Sequence, residues 1–313
     1  MRAAEKGAVT LPREILPGRT YLVTRRCVQR QYLLRPDERT KAIFDYCLAE
    51  AAARYDIDLI AWCGMANHYH AVVHDRHGRL PSFLEQLHKM VARALNARWE
   101  RHENLWSTDP TCVTYLPTPE AVFEKVVYVL ANPLNDHLID RLVDWPGSLS
   151  LQHLDGQRTT HARPIGFFRA SGPMPARVEL SAAQPVGSQA IETASQWAAR
   201  VRAAVETVER EQRERRMRDG GRVFGRKTIL ALSPFDSPRT EGEHGSVGPT
   251  IAGRDRENRN EQLANLKSFL EHYYRALRSF VAGCLDVEFP AGTYRLRRLG
   301  VRCAPYGSTA MAA

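Results

Sequence analysis

The chain has 313 residues, enough for one large domain or two ordinary ones, and its 43% hydrophobic and 25% charged residues are those of a globular rather than a disordered protein. Forty-four Lys and Arg stand against 35 Asp and Glu, and the net charge of +9 favours a polyanionic partner without identifying it. No apolar run approaches the ~20 residues of a membrane-spanning helix, and the opening MRAAEKGAVTLPREILPG lacks the apolar centre of a signal peptide, so no membrane partner is expected and the expected setting is the cytoplasm. The six cysteines, at 27, 47, 63, 112, 284 and 303, lack paired metal-finger spacing and read as reduced thiols.

In chain order, TYLVTRRCVQRQYLL has extended character. DERTKAIFDYCLAEAAARYD repeats Ile43, Phe44, Cys47, Leu48 and Ala51 at helical spacing. IDLIAWCGM and HYHAVVH read as two strands, with Ala66 and Asn67 turning between them. LPSFLEQLHKMVARALNARW returns to a helical period, and TCVTYLP reads as a fourth strand. TPEAVFEKVVYVLANP starts as a helix should, with Thr118 before Pro119 and Glu120, and is expected to stop before Pro133. The order strand, helix, strand, strand, helix, strand, helix predicts an α+β ferredoxin-like antiparallel-sheet sandwich with an added helix.

Beyond it, a stretch rich in Gly, Ser, Pro and Arg reads as linker-like over residues 150–189, and residues 190–313 read as a basic, mainly helical accessory region for DNA or a partner. Helical patterns there cover ASQWAARVRAAVETVEREQRERRMRD and EQLANLKSFLEHYYRALRSFVAG.

Two features carry candidate chemistry. Side chains alternate along a strand, so His68, His70 and Val72 share one face and Tyr69, Ala71 and Val73 the other. Two imidazoles on one face can converge on a cation, serve as acid or base, or simply be partly buried with each nitrogen satisfied. Downstream, Tyr128 and Asn132 are four residues apart and share a helix face. Ordinary packing accounts for the tyrosine taken alone, and a helix end before Pro133 for the asparagine.

Taken together, these stretches resemble a known family. Residues 18–149, through GRTYLVTRRCVQRQYLL, GMANHYHAVV and YVLANPLNDHLIDRLVDWPGSLS, resemble the IS200-like and REP-associated tyrosine transposases of the HUH endonuclease superfamily, which process single-stranded DNA. Ala66 stands where the family often has proline, and NPLNDHL lacks the arginine frequent after its Asn-Pro pair. The resemblance implies the same ferredoxin-like fold, an N-terminal extension over residues 1–17, and a catalytic domain over 18–149. It implies that Tyr128 is the nucleophile, that His68 and His70 act with it, and that His68, His70 and Asn132 hold Mg²⁺ or Mn²⁺. The expected activity is a metal-dependent single-stranded DNA endonuclease and strand transferase, a transposase or domesticated relative, working through a 5′-phosphotyrosine. Single-stranded or hairpin DNA is the expected partner, and the family's repertoire includes a homodimer in which the tyrosine helix completes a neighbour's site. A phosphodiester hydrolase using activated water and a nonenzymatic DNA-binding protein are the competing readings.

Arg25, Arg26, Arg30, Arg93 and Arg98 are candidate contacts to the DNA backbone, and Tyr21, Tyr32, Trp62, Trp99 and Trp106 candidate stacking platforms. Solvated arginines and core aromatics would produce the same sequence.

Overall fold

The computed structural model describes residues 12–166, 168–169, 171–240 and 250–307. Of the expected N-terminal extension, residues 1–11 lie outside these. The first seven elements run β1 (Arg19–Arg26), α1 (Glu38–Tyr55), β2 (Ile57–Gly64), β3 (His68–Asp75), α2 (Leu80–Arg98), β4 (Cys112–Tyr115) and α3 (Pro119–Asn135). The four strands form one antiparallel sheet in the order β2-β3-β1-β4. In each of the two interleaved βαβ units a strand of the other unit separates the paired strands, which makes the whole a ferredoxin-like α+β sandwich.

Alternation decides which residue meets which layer. Tyr21, Val23, Tyr69, Ala71 and Val73 point towards α1 and α2 and join Phe44, Leu48, Phe83, Leu87 and Val91 in one apolar cluster. Leu22, Ala61, Cys63 and Val72 point the other way, towards Val122, Val126, Val129 and Leu130 of α3. Helix ends are set by short polar caps. Asp37 accepts from Thr40 N at the start of α1, Thr118 accepts from Ala121 N at the start of α3, and the buried Asp75 carboxylate takes the N–H groups of Arg79 and Leu80 at the start of α2. Helix α3 runs past its expected stop at Pro133 to Asn135. In the last turn a proline removes one helical hydrogen bond, and Leu134 beyond it is buried in the core.

The later elements are β5 (Thr159–Ala162), β6 (Arg177–Leu180), α4 (Val186–Gln189), α5 (Ala194–Asp219), α6 (Arg226–Ala231), α7 (Arg256–Val281) and α8 (Arg295–Arg298). The stretch expected to be linker-like thus contains a two-stranded sheet, β5-β6, and Val178 and Leu180 of β6 extend the cluster around α1. Helix α5 lies along α3, where its Trp197, Ala198, Val201 and Val205 enter the same cluster as Val122 and Val126. The tyrosine helix is therefore held between the sheet and α5. Near the chain's end, Phe289 bridges to Cys303 and Gly292 O accepts from Ile15 N, which ties the C-terminal turns to the segment before β1. All six cysteines are free.

Candidate functional site

The two histidines occupy the first and third positions of β3, opposite Arg26 and Thr24 of β1. Their rings stand edge to face with centroids 4.7 Å apart. Each Nδ1 already has a partner: Asn67 Oδ1 lies 2.7 Å from His68 Nδ1, and Thr24 Oγ1 lies 2.7 Å from His70 Nδ1. Both Nε2 atoms are without a hydrogen bond among the described residues. Burial, and then the charges of Arg26 and Arg30, push His68 down to about 4. Burial is also the main reason that His70 lies well below the ordinary range, with His68, Arg26 and Lys125 adding to it. Both rings are accordingly neutral at pH 7, the state in which imidazole nitrogen binds a metal.

Helix α3 crosses this face of the sheet and brings the tyrosine to the histidines. The ring of Tyr128 stands 5.5 Å from that of His70, at 75°, and at 41% exposure its phenol is open to a large substrate. Asn132 follows one turn later and is buried, with Nδ2 donating to Tyr128 O at 3.1 Å. That bond leaves the amide oxygen as the free end of the side chain. No hydrogen bond joins Asn132 to either histidine among the described residues. Lys125, one turn before Tyr128, has its Nζ 5.2 Å from the centre of the tyrosine ring. It has no carboxylate partner among the described residues. The helical spacing of three from Tyr128 was the available signal for Lys125, and reading the arginines alone missed it.

The donor set suits a divalent cation in chemistry, with two neutral imidazoles keeping their Nε2 atoms free on one face and an amide oxygen on the adjoining helix. Among the described residues no group of three or more His, Cys, Asp and Glu side chains converges.

The candidate DNA contacts divide in two. Arg26 and Arg93 are exposed, with Arg26 on the histidine face and Arg93 on α2 at the opposite layer. The other three are engaged within the chain. Arg25 donates to Ser107 O at 2.9 Å and to Asp109 O, Arg30 donates to Thr240, and Arg98 forks onto Asp37 at 2.6 and 2.9 Å. Tyr21, Trp62 and Trp106 are buried and serve as core, Trp99 lies under the guanidinium groups of Arg98 and Arg35, and Tyr32 is half-buried.

Residues 20–119 match the family model described as "Transposase IS200 like". The matched stretch holds Thr24, Asn67, His68 and His70 and ends at the first residue of α3, before Tyr128. Among solved structures, that of a REP-associated tyrosine transposase bound to a REP hairpin is similar at 16% identity and a TM-score of 0.38, over 44% of this chain and 81% of that one. No curated protein matches the chain. Residues 20–119, which build the sheet and carry both histidines, are similar to the IS200-like transposases.

Proposed function

We propose that this protein is a metal-dependent single-stranded DNA endonuclease and strand transferase, a transposase or a domesticated relative, with Tyr128 as its nucleophile. The match of residues 20–119 to the IS200-like transposase model supports an enzymatic role on DNA in general. The observation that carries the finer reading is the exposed Tyr128 phenol beside His70, with ring centroids 5.5 Å apart.

In this reading His68 and His70, through Nε2, and Asn132, through Oδ1, are the protein ligands of Mg²⁺ or Mn²⁺, and the imidazoles favour Mn²⁺. A bound ion would withdraw charge from the scissile phosphate as a Lewis acid. Lys125 and Arg26 border the same face and set their charges against the phosphate oxygens. The Tyr128 oxygen attacks phosphorus in line, a phenol oxygen to phosphorus bond forms, and the bond from phosphorus to the 3′ oxygen breaks. The phenol proton passes to water, and the departing 3′ oxygen takes up a proton as a hydroxyl. The product is a 5′-phosphotyrosine, which conserves the ester bond for attack by the 3′-hydroxyl of a second strand.

The substrate class is single-stranded or hairpin DNA, the latter being what the similar solved transposase holds. End-labelled hairpins drawn from repeats flanking the gene, incubated with Mn²⁺, should yield a denaturant-resistant protein-DNA adduct with wild type and none with Tyr128→Phe, while both bind DNA. An adduct formed by Y128F would remove Tyr128 from this role. Cleavage without an adduct would point to activated water, and binding without cleavage to a nonenzymatic protein.

A further inference from the structure

The Asn67 amide makes two hydrogen bonds that constrain one another. Its Nδ2 donates to the carbonyl of Arg30 at 3.1 Å, and its Oδ1 faces His68 Nδ1 at 2.7 Å. An amide NH₂ cannot accept a hydrogen bond, so the first contact decides which end of the amide meets the imidazole. His68 then carries its proton on Nδ1 and presents Nε2 as a lone pair. The carbonyl behind this arrangement belongs to an unusual turn. Gln29 and Arg30 have φ of 50° and 57°, in the left-handed region that residues with a Cβ enter only when their surroundings hold them there.

Those surroundings come from the far end of the chain. Residues 232–240, which follow α6, lie across the loop from Gln29 to Arg35. Ser237 Oγ donates to Gln29 O at 2.8 Å, Gln31 Nε2 to Phe235 O at 3.2 Å, and Tyr32 N to Asp236 O at 2.9 Å. Arg35 donates to Leu232 O at 3.0 Å, and the Arg30 guanidinium grips Thr240 through its carbonyl at 2.5 Å and its hydroxyl at 3.2 Å. Three of these bonds end on the left-handed residues themselves, one on Gln29 and two on Arg30.

We propose that residues 232–240 are a positioning brace for the metal site, one that fixes the tautomer and orientation of His68 through the Gln29-Arg30 turn and Asn67. This rests on His68 being a metal ligand, as proposed above, and it places part of the C-terminal region in the catalytic centre without contact to the reacting atoms.

The test uses the full chain with ¹⁵N-labelled histidine, in which the ring nitrogen shifts report the tautomer of each histidine without metal, and His68→Gln assigns the signal. Mn²⁺ affinity is measured in parallel by calorimetry in the Y128F background, and melting temperature by circular dichroism. Wild type should hold His68 as the Nδ1–H tautomer. Asn67→Ala should weaken Mn²⁺ binding by about 10- to 100-fold, the usual effect of removing the partner of a ligating histidine. The double substitution Ser237→Ala with Thr240→Val should mix the tautomers and weaken Mn²⁺ binding by roughly three- to tenfold, below that range because it acts one step further out. Ser237→Thr, which keeps the hydroxyl, should restore both readouts when paired with wild-type Thr240.

A wild-type Nε2–H tautomer would overturn the proposal. So would a double variant that melts lower yet keeps the tautomer and Mn²⁺ affinity of wild type, since the segment would then be structural only. Should the double variant not fold, Gln31→Ala removes a single brace bond and is read in the same way. If the tautomer responds but wild type binds no Mn²⁺, the metal reading fails and the brace stands.

Discussion

At the candidate site an exposed tyrosine is flanked by a cation and an imidazole. Lys125 and Tyr128 share one face of α3, and Lys125 lies close enough to His70 for its charge to lower that ring's proton affinity. Lys125 has no carboxylate partner among the described residues and Arg26 is exposed on the same face, so the face is set to meet an anion. Lys125→Met should therefore slow adduct formation by about 10- to 100-fold at saturating hairpin, a smaller loss than for a fully enclosed oxyanion donor because the ammonium is only half-buried. Single-turnover adduct formation measures this, and a wild-type rate would show that the ammonium does not face the phosphate. Thr24→Val should leave DNA binding intact and raise the Mn²⁺ concentration needed for half-maximal adduct, because His70 Nδ1 loses its hydrogen-bond partner.

At the scale of elements, the tyrosine helix depends on a neighbour from well beyond the matched domain. Trp197 of α5 is buried, packs edge to face on Phe123 of α3 at 5.7 Å, and has the Arg200 guanidinium over its ring at 5.0 Å. Trp197→Ala should cost about 3–5 kcal/mol, the range for deleting a core aromatic, visible as a lower urea midpoint. The WPGSLS stretch after α3 shows a second dependence. Gly64 N donates to Ser148 O at 2.8 Å, Trp62 Nε1 donates to Ser148 Oγ at 3.0 Å, and Ser148 Oγ donates to the buried Asp45 of α1. The chain approaches β2 so closely at Gly147 that a Cβ there would lie 2.8 Å from Gly64 O and 2.6 Å from Trp145 Nε1. Gly147→Ala should accordingly destabilise by about 1–3 kcal/mol through overpacking, with no change in the metal dependence of whatever folds.

For the molecule as a whole, buried histidines set the response to acid. His88, which faces Tyr69 Oη at 2.6 Å, is pushed down to about 3 by burial and then by Arg25, and His68 to about 4, with His70 also well below its usual range. In the unfolded chain these rings titrate near 6.5. Unfolding takes up protons below that pH, so the stability they contribute is complete above about 6.5 and is lost as pH falls towards 4 and then 3. Asp45 runs the other way. Burial raises it to about 6, so its contribution is present at low pH and lost as pH rises through 6. Burial also lowers His74, His153 and His161, and among the described carboxyls raises only Asp136 beside Asp45, so the histidines outweigh the carboxyls and the urea midpoint should fall between pH 7 and 4.5. His88→Gln removes one of these proton-binding differences and should make that fall shallower; an unchanged slope would contradict the assignment.

Periodicity alone determined the fold class. Alternation in HYHAVVH and the helical repeats through Phe44, Leu87 and Val126 are local properties of the chain, and they specify the order of elements and the faces they bury. The same alternation placed His68 with His70, and the spacing of four placed Tyr128 with Asn132. What local pattern could not supply was the meeting of distant segments, since a side chain's partners depend on which elements pack together. Arg25 and Arg98 look like free cations in the sequence, and only the packing shows them spent on Ser107 and Asp37. Tyr21, Trp62 and Trp106 became core for the same reason. The tertiary structure alone decided that α5 backs the tyrosine helix and that residues 232–240 reach the turn behind His68, because both contacts join residues far apart in the chain and neither leaves a periodic trace.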